Sequence, residues 1–160
     1  MIVYLDTSSL VKLYKDETES AEVERLVSSA EVAATSRLAY VECRAAFAQA
    51  QRLSALGQAP PLRGRRSTRV DTAYRDIVSS FMDDWTSKRF YAWSVSASVI
   101  GNAGDLAERH ALRGYDAVHV ASALSLARRL ESDFLFSSFD PSQRRAAAAE
   151  GLSLAHEVTS

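Results

Sequence analysis

Short apolar runs alternate with longer helical stretches along this chain, and this alternation limits the fold more than any other feature. Each run has four to six residues, mostly aliphatic, alanine or aromatic. The predicted strands are residues 2–5, 32–35 and 90–95, a run that begins at Phe134, and residues 152–155. Strands that alternate with helices predict an α/β fold with a mainly parallel sheet and helices on both faces.

Helical patterns fill the intervals between these runs. The predicted helices are residues 8–15, 18–29, 37–56, 69–87, 97–112, 116–130 and 141–150. We expect an interruption near Gly101 or Gly104, and we interpret residues 57–67 as a loop between two helices because the segment contains Pro60, Pro61 and Gly64. No linker divides the 160 residues, which predicts a single domain spanning residues 1–160.

The composition excludes several classes of protein. Apolar and charged fractions of 47% and 24% are those of an ordinary globular protein. The apolar stretches are too short for a membrane span and the start lacks a basic signal region, so we expect a cytoplasmic protein without a membrane partner. The single cysteine, Cys43, excludes an internal disulfide and a cysteine-based zinc site, and it is interpreted as a small buried hydrophobe.

Three aspartates stand where strands end or helices begin. Asp6 ends the first apolar run, Asp116 opens the helix that follows Gly114, and Asp140 ends the Phe134 run directly before Pro141. Such positions lie at the edge of the sheet where open α/β proteins bind ligands. We therefore expect the three carboxylates to lie near one another.

A fourth carboxylate, Glu42, lies on the apolar stripe of its helix. Its neighbours three and four residues away are Leu38, Ala39, Ala45 and Ala46. Burial of a carboxylate there is costly unless it is paired or coordinates a metal. Four clustered negative charges also repel one another, so the set favours a hard divalent cation with oxygen ligands. We call Asp6, Glu42, Asp116 and Asp140 the acidic cluster.

Each member of the acidic cluster also has an explanation without a ligand. Asp6, Asp116 and Asp140 could each cap a helix, which is worth about 1 kcal/mol. Glu42 could reach solvent at the edge of its stripe or pair with an arginine such as Arg37. The combination favours a site, because helix caps do not require an acid on an apolar helix face as well.

Histidines and hydroxyls near the acidic cluster have two readings. His119, one helical turn after Asp116, could be a metal ligand or general base, but we interpret it as a core histidine that donates to a carbonyl. His110 and His156 are expected at the surface. The hydroxyls that flank the carboxylates either cap the backbone locally or orient the carboxylates, and they belong to Thr7, Ser8 and Ser138.

Several common catalytic motifs are missing from the sequence. There is no Gly-x-x-x-x-Gly-Lys, Gly-x-Gly-x-x-Gly or Gly-x-Ser-x-Gly, which argues against nucleoside-triphosphate, dinucleotide and serine-hydrolase chemistry. A phosphatase with Asp6 as nucleophile stays as a weaker alternative, because Ser8 stands where such enzymes carry a second acid.

Four segments together resemble the successive motifs of PIN domains, and they are closest to the VapC-like ribonuclease toxins of type II toxin–antitoxin pairs. The segments are Val3–Tyr14, Tyr40–Glu42, Tyr115–Leu124 and Phe136–Asp140. The resemblance covers nearly the whole chain and implies a PIN-like three-layer fold. One departure is the long arginine-rich segment around residues 57–70, where many family members are more compact.

The resemblance implies a metal-dependent endoribonuclease that hydrolyses RNA phosphodiester bonds. Asp6, Asp116 and Asp140 would hold Mg²⁺ or Mn²⁺ directly, Glu42 directly or through water, and Ser138 would be a supporting hydroxyl. The implied partners are an RNA substrate, a cognate antitoxin protein and a second copy of the chain in a homodimer. The alternative from another class is a non-catalytic PIN-fold module that binds RNA or protein.

A block of arginines has no acidic residue near it. From Cys43 to Val70 the sequence contains no Asp or Glu. The arginines of interest within this stretch are Arg63, Arg65, Arg66 and Arg69. They form either a solvated loop or an RNA-binding arm that follows phosphates toward the acidic cluster.

Overall fold

The computed structural model describes residues 1–57, 70–130 and 132–156 of the chain. Within these ranges the elements are, in chain order, β1 (Ile2–Leu5), α1 (Thr7–Val11), α2 (Ser20–Ser29), β2 (Val32–Ser36), α3 (Leu38–Ala55), α4 (Val70–Thr86), β3 (Tyr91–Trp93), α5 (Ala97–His110), α6 (Gly114–Ala127), β4 (Phe134–Ser137), α7 (Pro141–Ala149) and β5 (Ser153–Leu154).

One sheet with the strand order β3-β2-β1-β4-β5 forms the centre of the fold, and every pair is parallel. β1 lies in the middle, with Tyr4 opposite Ala34 of β2 and Leu5 opposite Ser137 of β4. The carboxyl ends of β1, β2 and β4 therefore meet at one edge, and the predicted parallel α/β sheet is confirmed.

Alternation along β1 sends its side chains to two separate cores. Val3 and Leu5 pack on one face with residues of α1 to α4, and Tyr4 packs on the other with residues of α5 to α7. The first core includes the aromatic side chains Tyr14, Tyr40, Phe47, Phe81 and Trp85. Helices thus cover both faces, which gives the expected three layers.

Helix α6 is almost entirely buried. Its sequence is apolar nearly all round, and such a helix is stable only inside a protein. It packs closely against α5 and under the sheet. Burial fixes the position of the whole helix, including Asp116 in its first turn and His119 one turn later.

Two predicted boundaries are wrong. Helix α5 runs without interruption through Gly101 and Gly104, because burial of Val99, Ala103 and Leu106 outweighs a cost of about 1 kcal/mol per glycine. Helix α1 ends at Val11 rather than at residue 15, since Lys12 to Tyr14 form turns.

The predicted loop at residues 57–67 lies, beyond Gly57, outside the described residues. In the ranges that are described, no helix combines the length and apolarity needed to cross a membrane.

Candidate active site

Asp6 lies at the carboxyl end of the central strand and is almost completely buried, with 1% of its surface exposed. Its Oδ1 accepts from the backbone N–H of Ser9 at 2.9 Å and so caps α1. Ser8 Oγ donates to both carboxylate oxygens, and Ser138 Oγ donates to Oδ2 at 2.8 Å. Burial raises the pKa of Asp6, although His119 and these donors act in the opposite direction.

The two serines orient Asp6 rather than only capping the backbone. Ser138 Oγ donates to Asp6 and accepts from the backbone N–H of Asp140 at 3.0 Å, so it connects two members of the acidic cluster. Ser8 Oγ donates to Asp6 and accepts from the backbone N–H of Phe139 at 2.8 Å. Both readings of these hydroxyls are observed for Ser138, and orientation of the Asp6 carboxylate is the role that Ser8 and Ser138 share.

Glu42 is held by two side chains from other elements. Thr7 Oγ1 donates to Glu42 Oε2 at 2.6 Å, and His119 Nε2 lies 2.7 Å from the same oxygen. Burial alone would raise the pKa of Glu42, but the hydrogen bonds from His119 and Thr7 outweigh burial and lower the pKa. The alternative explanations of Glu42, that it reaches solvent or pairs with an arginine such as Arg37, are wrong.

His119 is a buried histidine as expected, but its partners are side chains rather than a backbone carbonyl. Tyr4 Oη lies 3.1 Å from Nδ1, and Glu42 and Thr7 contact Nε2. A hydrogen on Nε2 satisfies Glu42 and leaves Nδ1 to accept from the Tyr4 hydroxyl. His119 therefore connects Glu42 to Tyr4 in the middle of β1 through a buried chain of hydrogen bonds.

Asp116 lies in the first turn of α6, two residues inside the helix start, so the prediction that it could be a cap is wrong. Burial is the largest cause of the raised pKa of Asp116, and the charges of Asp140, Asp6 and Glu42 raise this pKa further. Asp116 therefore lies within electrostatic range of the other three predicted carboxylates, so the fold brings the four acids of the sequence into one region.

Asp140 is the N-cap of α7, as the simpler reading of the sequence proposed. Its Oδ1 accepts from the backbone N–H groups of Ser142 and Gln143, and Pro141 follows it as the first helical residue. Capping occupies Oδ1 only. The cap reading and the site reading of Asp140 are therefore compatible.

Gln143 connects the last two carboxylates, and no pattern in the sequence predicts this role. Its backbone N–H donates to Asp140 Oδ1, and its side-chain Nε2 donates to Asp116 Oδ1 at 3.0 Å. The residue is 4% exposed, and within the described part of the chain its Oε1 is buried without a hydrogen-bond partner. A glutamine in the first turn of a helix usually indicates only helix capping.

Comparison with known protein families gives a match over nearly the whole chain. The PIN domain family matches residues 3–149, which include every member of the acidic cluster. The chain belongs to the PIN-domain family. This PIN domain is 38% identical over 125 residues to ribonuclease VapC45 and to ribonuclease VapC49, each from a strain of Mycobacterium tuberculosis, and the match spans 78% of this chain and 76% of each relative.

Solved structures share the fold of this PIN domain. VapBC2 from Rickettsia felis, determined with a DNA fragment from its promoter, is 14% identical with a TM-score of 0.58, covering 96% of this chain and 97% of the other. FitAcB from Neisseria gonorrhoeae is 15% identical with a TM-score of 0.60, covering 96% of both chains. At this identity the likeness concerns the fold alone, and it confirms the PIN-like architecture.

The donor chemistry of this PIN domain fits a hard divalent cation. In the described ranges, three carboxylates each have one oxygen held by hydrogen bonds and one without a hydrogen-bond partner. The oxygens without such a partner are Glu42 Oε1, Asp116 Oδ2 and Asp140 Oδ2. The described side chains do not, however, place three acidic, histidine or cysteine groups closely enough to enclose an ion as they stand. The set therefore fits such a cation in ligand type but does not form a closed cage.

Two other predictions for this PIN domain have different outcomes. His156 is not at the surface, because it is buried with Nε2 2.9 Å from Ser137 Oγ and Nδ1 2.6 Å from Glu22 Oε1. His110 is half-buried and contacts Glu150. The RNA-binding residues Arg63, Arg65, Arg66 and Arg69 lie outside the described residues, so their role stays a prediction.

Proposed function

We propose that this PIN domain is the ribonuclease toxin of a type II toxin–antitoxin pair and that its acidic cluster holds Mg²⁺ or Mn²⁺. The observation that carries the proposal is the convergence of four acids from distant parts of the chain. Ser138 contacts Asp6 and Asp140, Gln143 contacts Asp140 and Asp116, and Thr7, the neighbour of Asp6, contacts Glu42. The ribonuclease name of the mycobacterial relatives supports the activity at 38% identity. Asp6, Asp116 and Asp140 would bind the cation directly, and Glu42 directly or through water.

The chemistry of the proposed reaction is hydrolysis of a phosphodiester. A bound divalent cation neutralises phosphate charge and lowers the pKa of water. Water attacks the phosphorus, and the bond from phosphorus to the leaving oxygen breaks. A carboxylate of the cluster takes the proton of the attacking water, and the leaving oxygen takes up a proton from solvent. The side chains of this PIN domain serve this step by fixed orientation, since each carboxylate is held through hydrogen bonds before substrate arrives.

The role of Glu42 in this reaction differs from that of the other acids. The pKa of Glu42 is lowered, whereas the pKa values of Asp6 and Asp116 are raised, so Glu42 is a weaker proton acceptor than these two aspartates. Thr7 and His119 both contact Oε2, which directs Oε1 away from them. We assign Glu42 to orienting water or cation rather than to taking the proton.

The activity is tested with Asp6→Asn and a matched control. Purified wild type should cleave a structured RNA with Mg²⁺ or Mn²⁺ and not with EDTA, and Asp6→Asn should lose more than about 100-fold, because loss of a residue that only orients a ligand already costs up to that much. Asp133→Asn removes the same charge from an exposed position before the start of β4, at the opposite edge of the sheet, and should cleave like wild type. Equal activity of the two variants would reject the assignment.

The antitoxin is a proposal of its own. The acidic cluster attracts cations, and a partner segment that offers arginine or lysine could compensate its charge. Expression of the chain alone should stop growth, and co-expression of the product of the neighbouring gene should restore growth and copurify. Normal growth without the partner, together with no copurifying product, would contradict this part. The proposed homodimer is tested separately by analytical ultracentrifugation of the purified chain.

A further inference from the structure

A groove of about 830 Å³ lies beside the sheet, between β2, β3 and the ends of α3 and α4. The lining residues that matter here are Arg37, Tyr40, Trp85, Lys88, Arg89 and Tyr91. None of the four acids of the cluster lines it, so the groove is a separate surface.

One end of this groove begins at the edge of the sheet that carries the acidic cluster. β1 and β2 are parallel with Tyr4 opposite Ala34, so Asp6 is level with Ser36, the last residue of β2. Arg37 is the next residue, and its backbone N–H donates to the carbonyl of Trp93 at 2.9 Å. Neighbouring strands are about 4.8 Å apart, which places the backbone of Arg37 close to the level of the acids.

The other end lies at the start of β2. Glu31, Val32 and Ala33 line that end. Four residue steps separate Val32 from Ser36, which corresponds to about 13 Å at a rise of ~3.3 Å per residue. The groove therefore leads away from the acidic cluster along the length of a strand.

The groove has an excess of positive charge. Arg37, Lys88 and Arg89 line it, and the one acidic lining residue, Glu31, pairs with the terminal amine of Met1 at 3.0 Å. Arg89 is paired with Asp84 at 2.6 Å. Arg37 and Lys88 are exposed and have no ion pair among the described residues. Two cations are thus available to a polyanion that reaches this surface.

Aromatic rings accompany these cations. The side chain of Tyr91 is 53% exposed on the edge strand, with its ring 6.1 Å from that of Trp93. Tyr40 and Trp85 lie deeper, with ring centroids 5.3 Å apart. Proteins that bind single strands combine a positive groove with aromatic rings on which bases stack. A protein interface would instead favour a centre with few lysines.

We propose that this groove binds the single-stranded RNA that flanks the scissile bond, with phosphates on Arg37 and Lys88 and a base on Tyr91. The inference rests on the proposed function, because it takes RNA as the substrate. It explains how a polyanion is held near four negative charges, since Arg37 lies at the end of the groove next to the cluster and Lys88, which precedes β3, lies toward the other end. The same surface would favour unpaired segments over duplex, in which bases are not available for stacking.

The charge part is tested by RNA binding without cleavage. A labelled oligouridylate is titrated with Asp6→Asn protein in EDTA, and anisotropy is followed from about 50 to about 200 mM salt. Adding Arg37→Gln with Lys88→Gln should weaken binding and reduce the salt slope by about 1.4, at roughly 0.7 per phosphate contact. The control pair Arg25→Gln with Arg75→Gln removes the same charge from exposed positions of α2 and α4 and should leave the slope unchanged. Equal slopes for the two pairs would overturn the proposal.

The stacking part is tested at Tyr91 with two apolar replacements. Tyr91→Phe keeps the ring and should bind like its parent, whereas Tyr91→Leu keeps apolar area without a ring and should weaken binding about fivefold or more. Equal affinities of the phenylalanine and leucine variants would remove stacking from the proposal. Neither replacement affects a residue of the buried core, because Tyr91 is exposed.

Failure of the groove is distinguishable from failure of the proposed function. If wild type neither binds nor cleaves RNA, the proposed function fails. If wild type does both and the groove variants bind RNA equally well, only the groove proposal fails. If the groove variants bind RNA like wild type but no longer copurify with the neighbouring gene product, the groove is a protein-binding surface and the RNA assignment is overturned.

Discussion

The two sides of the acidic cluster are built differently. On the β1 side, Asp6 and Glu42 are held mainly by side-chain donors that belong to Thr7, Ser8, His119 and Ser138, and Asp6 also accepts from the backbone N–H of Ser9. On the α7 side, Asp116 and Asp140 share Gln143 and otherwise depend on backbone N–H groups at a helix start. The pKa of Glu42 is lowered, whereas burial and the neighbouring acids raise the pKa of Asp116.

This difference indicates which carboxylates are stable in the charged form without a bound cation. Hydrogen bonds that favour the charged form stabilise Glu42 as a carboxylate in the folded chain. Asp116 has one such donor from a side chain and three acidic neighbours, so its charged form is disfavoured until a cation or a proton compensates it. Glu42 is therefore preorganised as a carboxylate, and Asp116 is where binding of a cation has the larger effect on stability.

The largest effect on cleavage is expected for a substitution of Asp116 on the α7 side. Asp116→Asn should reduce cleavage by more than about 100-fold, as for Asp6, and should stabilise the protein in EDTA. The folded-state pKa of Asp116 is raised above 3.8, so wild type loses stability as pH rises from that value through the raised pKa, and the loss persists above it. Thermal melts in EDTA between about pH 4 and about pH 8 should show a smaller decline for the variant. A decline equal to that of wild type would contradict the comparison.

An intermediate effect is expected at Gln143. Gln143→Leu removes the donor to Asp116 but keeps the backbone N–H that Asp140 accepts, so only one carboxylate loses its partner. Cleavage should fall by about 10- to 100-fold, and more Mn²⁺ should be needed for half-maximal activity. Mn²⁺ binding followed by electron paramagnetic resonance supplies a readout that does not depend on turnover. Unchanged Mn²⁺ affinity would leave Gln143 as a packing residue.

The smallest effect is expected for a substitution of Glu42 on the β1 side, and it should lower stability where the Asp116 variant raises it. The folded-state pKa of Glu42 lies below 4.5, so its charge stabilises the fold above that value, and this stability is lost as pH falls through the lowered pKa. Glu42→Gln should cost about 1 kcal/mol at pH 7, the difference between charged and neutral hydrogen bonds. Urea unfolding at neutral and acidic pH measures it, with the exposed Glu31→Gln as control. Stabilisation at pH 7 would show that Glu42 resembles Asp116 after all.

The fold and the four acids were predictable because they depend on local pattern. Apolar runs of strand length, each followed by a helical stretch, are sufficient for a parallel sheet, and a strand end fixes the edge where Asp6 and Asp140 lie. Glu42 was detectable because a carboxylate on an apolar stripe contradicts its surroundings. These inferences need only the sequence near each residue.

The partners of these residues were not predictable, because they come from distant segments. His119 and Glu42 are 77 residues apart, and His156 and Glu22 are 134 apart. A histidine among aliphatic neighbours carries no information about which side chain faces it. The sequence therefore predicts a carbonyl partner for His119 and a surface position for His156, and the structure contradicts both predictions. Gln143 resembles any polar residue at a helix start. Continuity of α5 also depends on tertiary burial, which outweighed the weak helix propensity of Gly101 and Gly104.

The central position of β1 has a consequence for synthesis of the protein on the ribosome. Ser138, which follows β4 and orients Asp6, lies 132 residues further along the chain. At about 5 to 20 residues per second, translation of this interval takes roughly 7 to 26 s, and the acids can meet only after it. If the proposed function holds, a nascent chain is unable to cut RNA during this interval. The proposed antitoxin would then have the same interval in which to be ready.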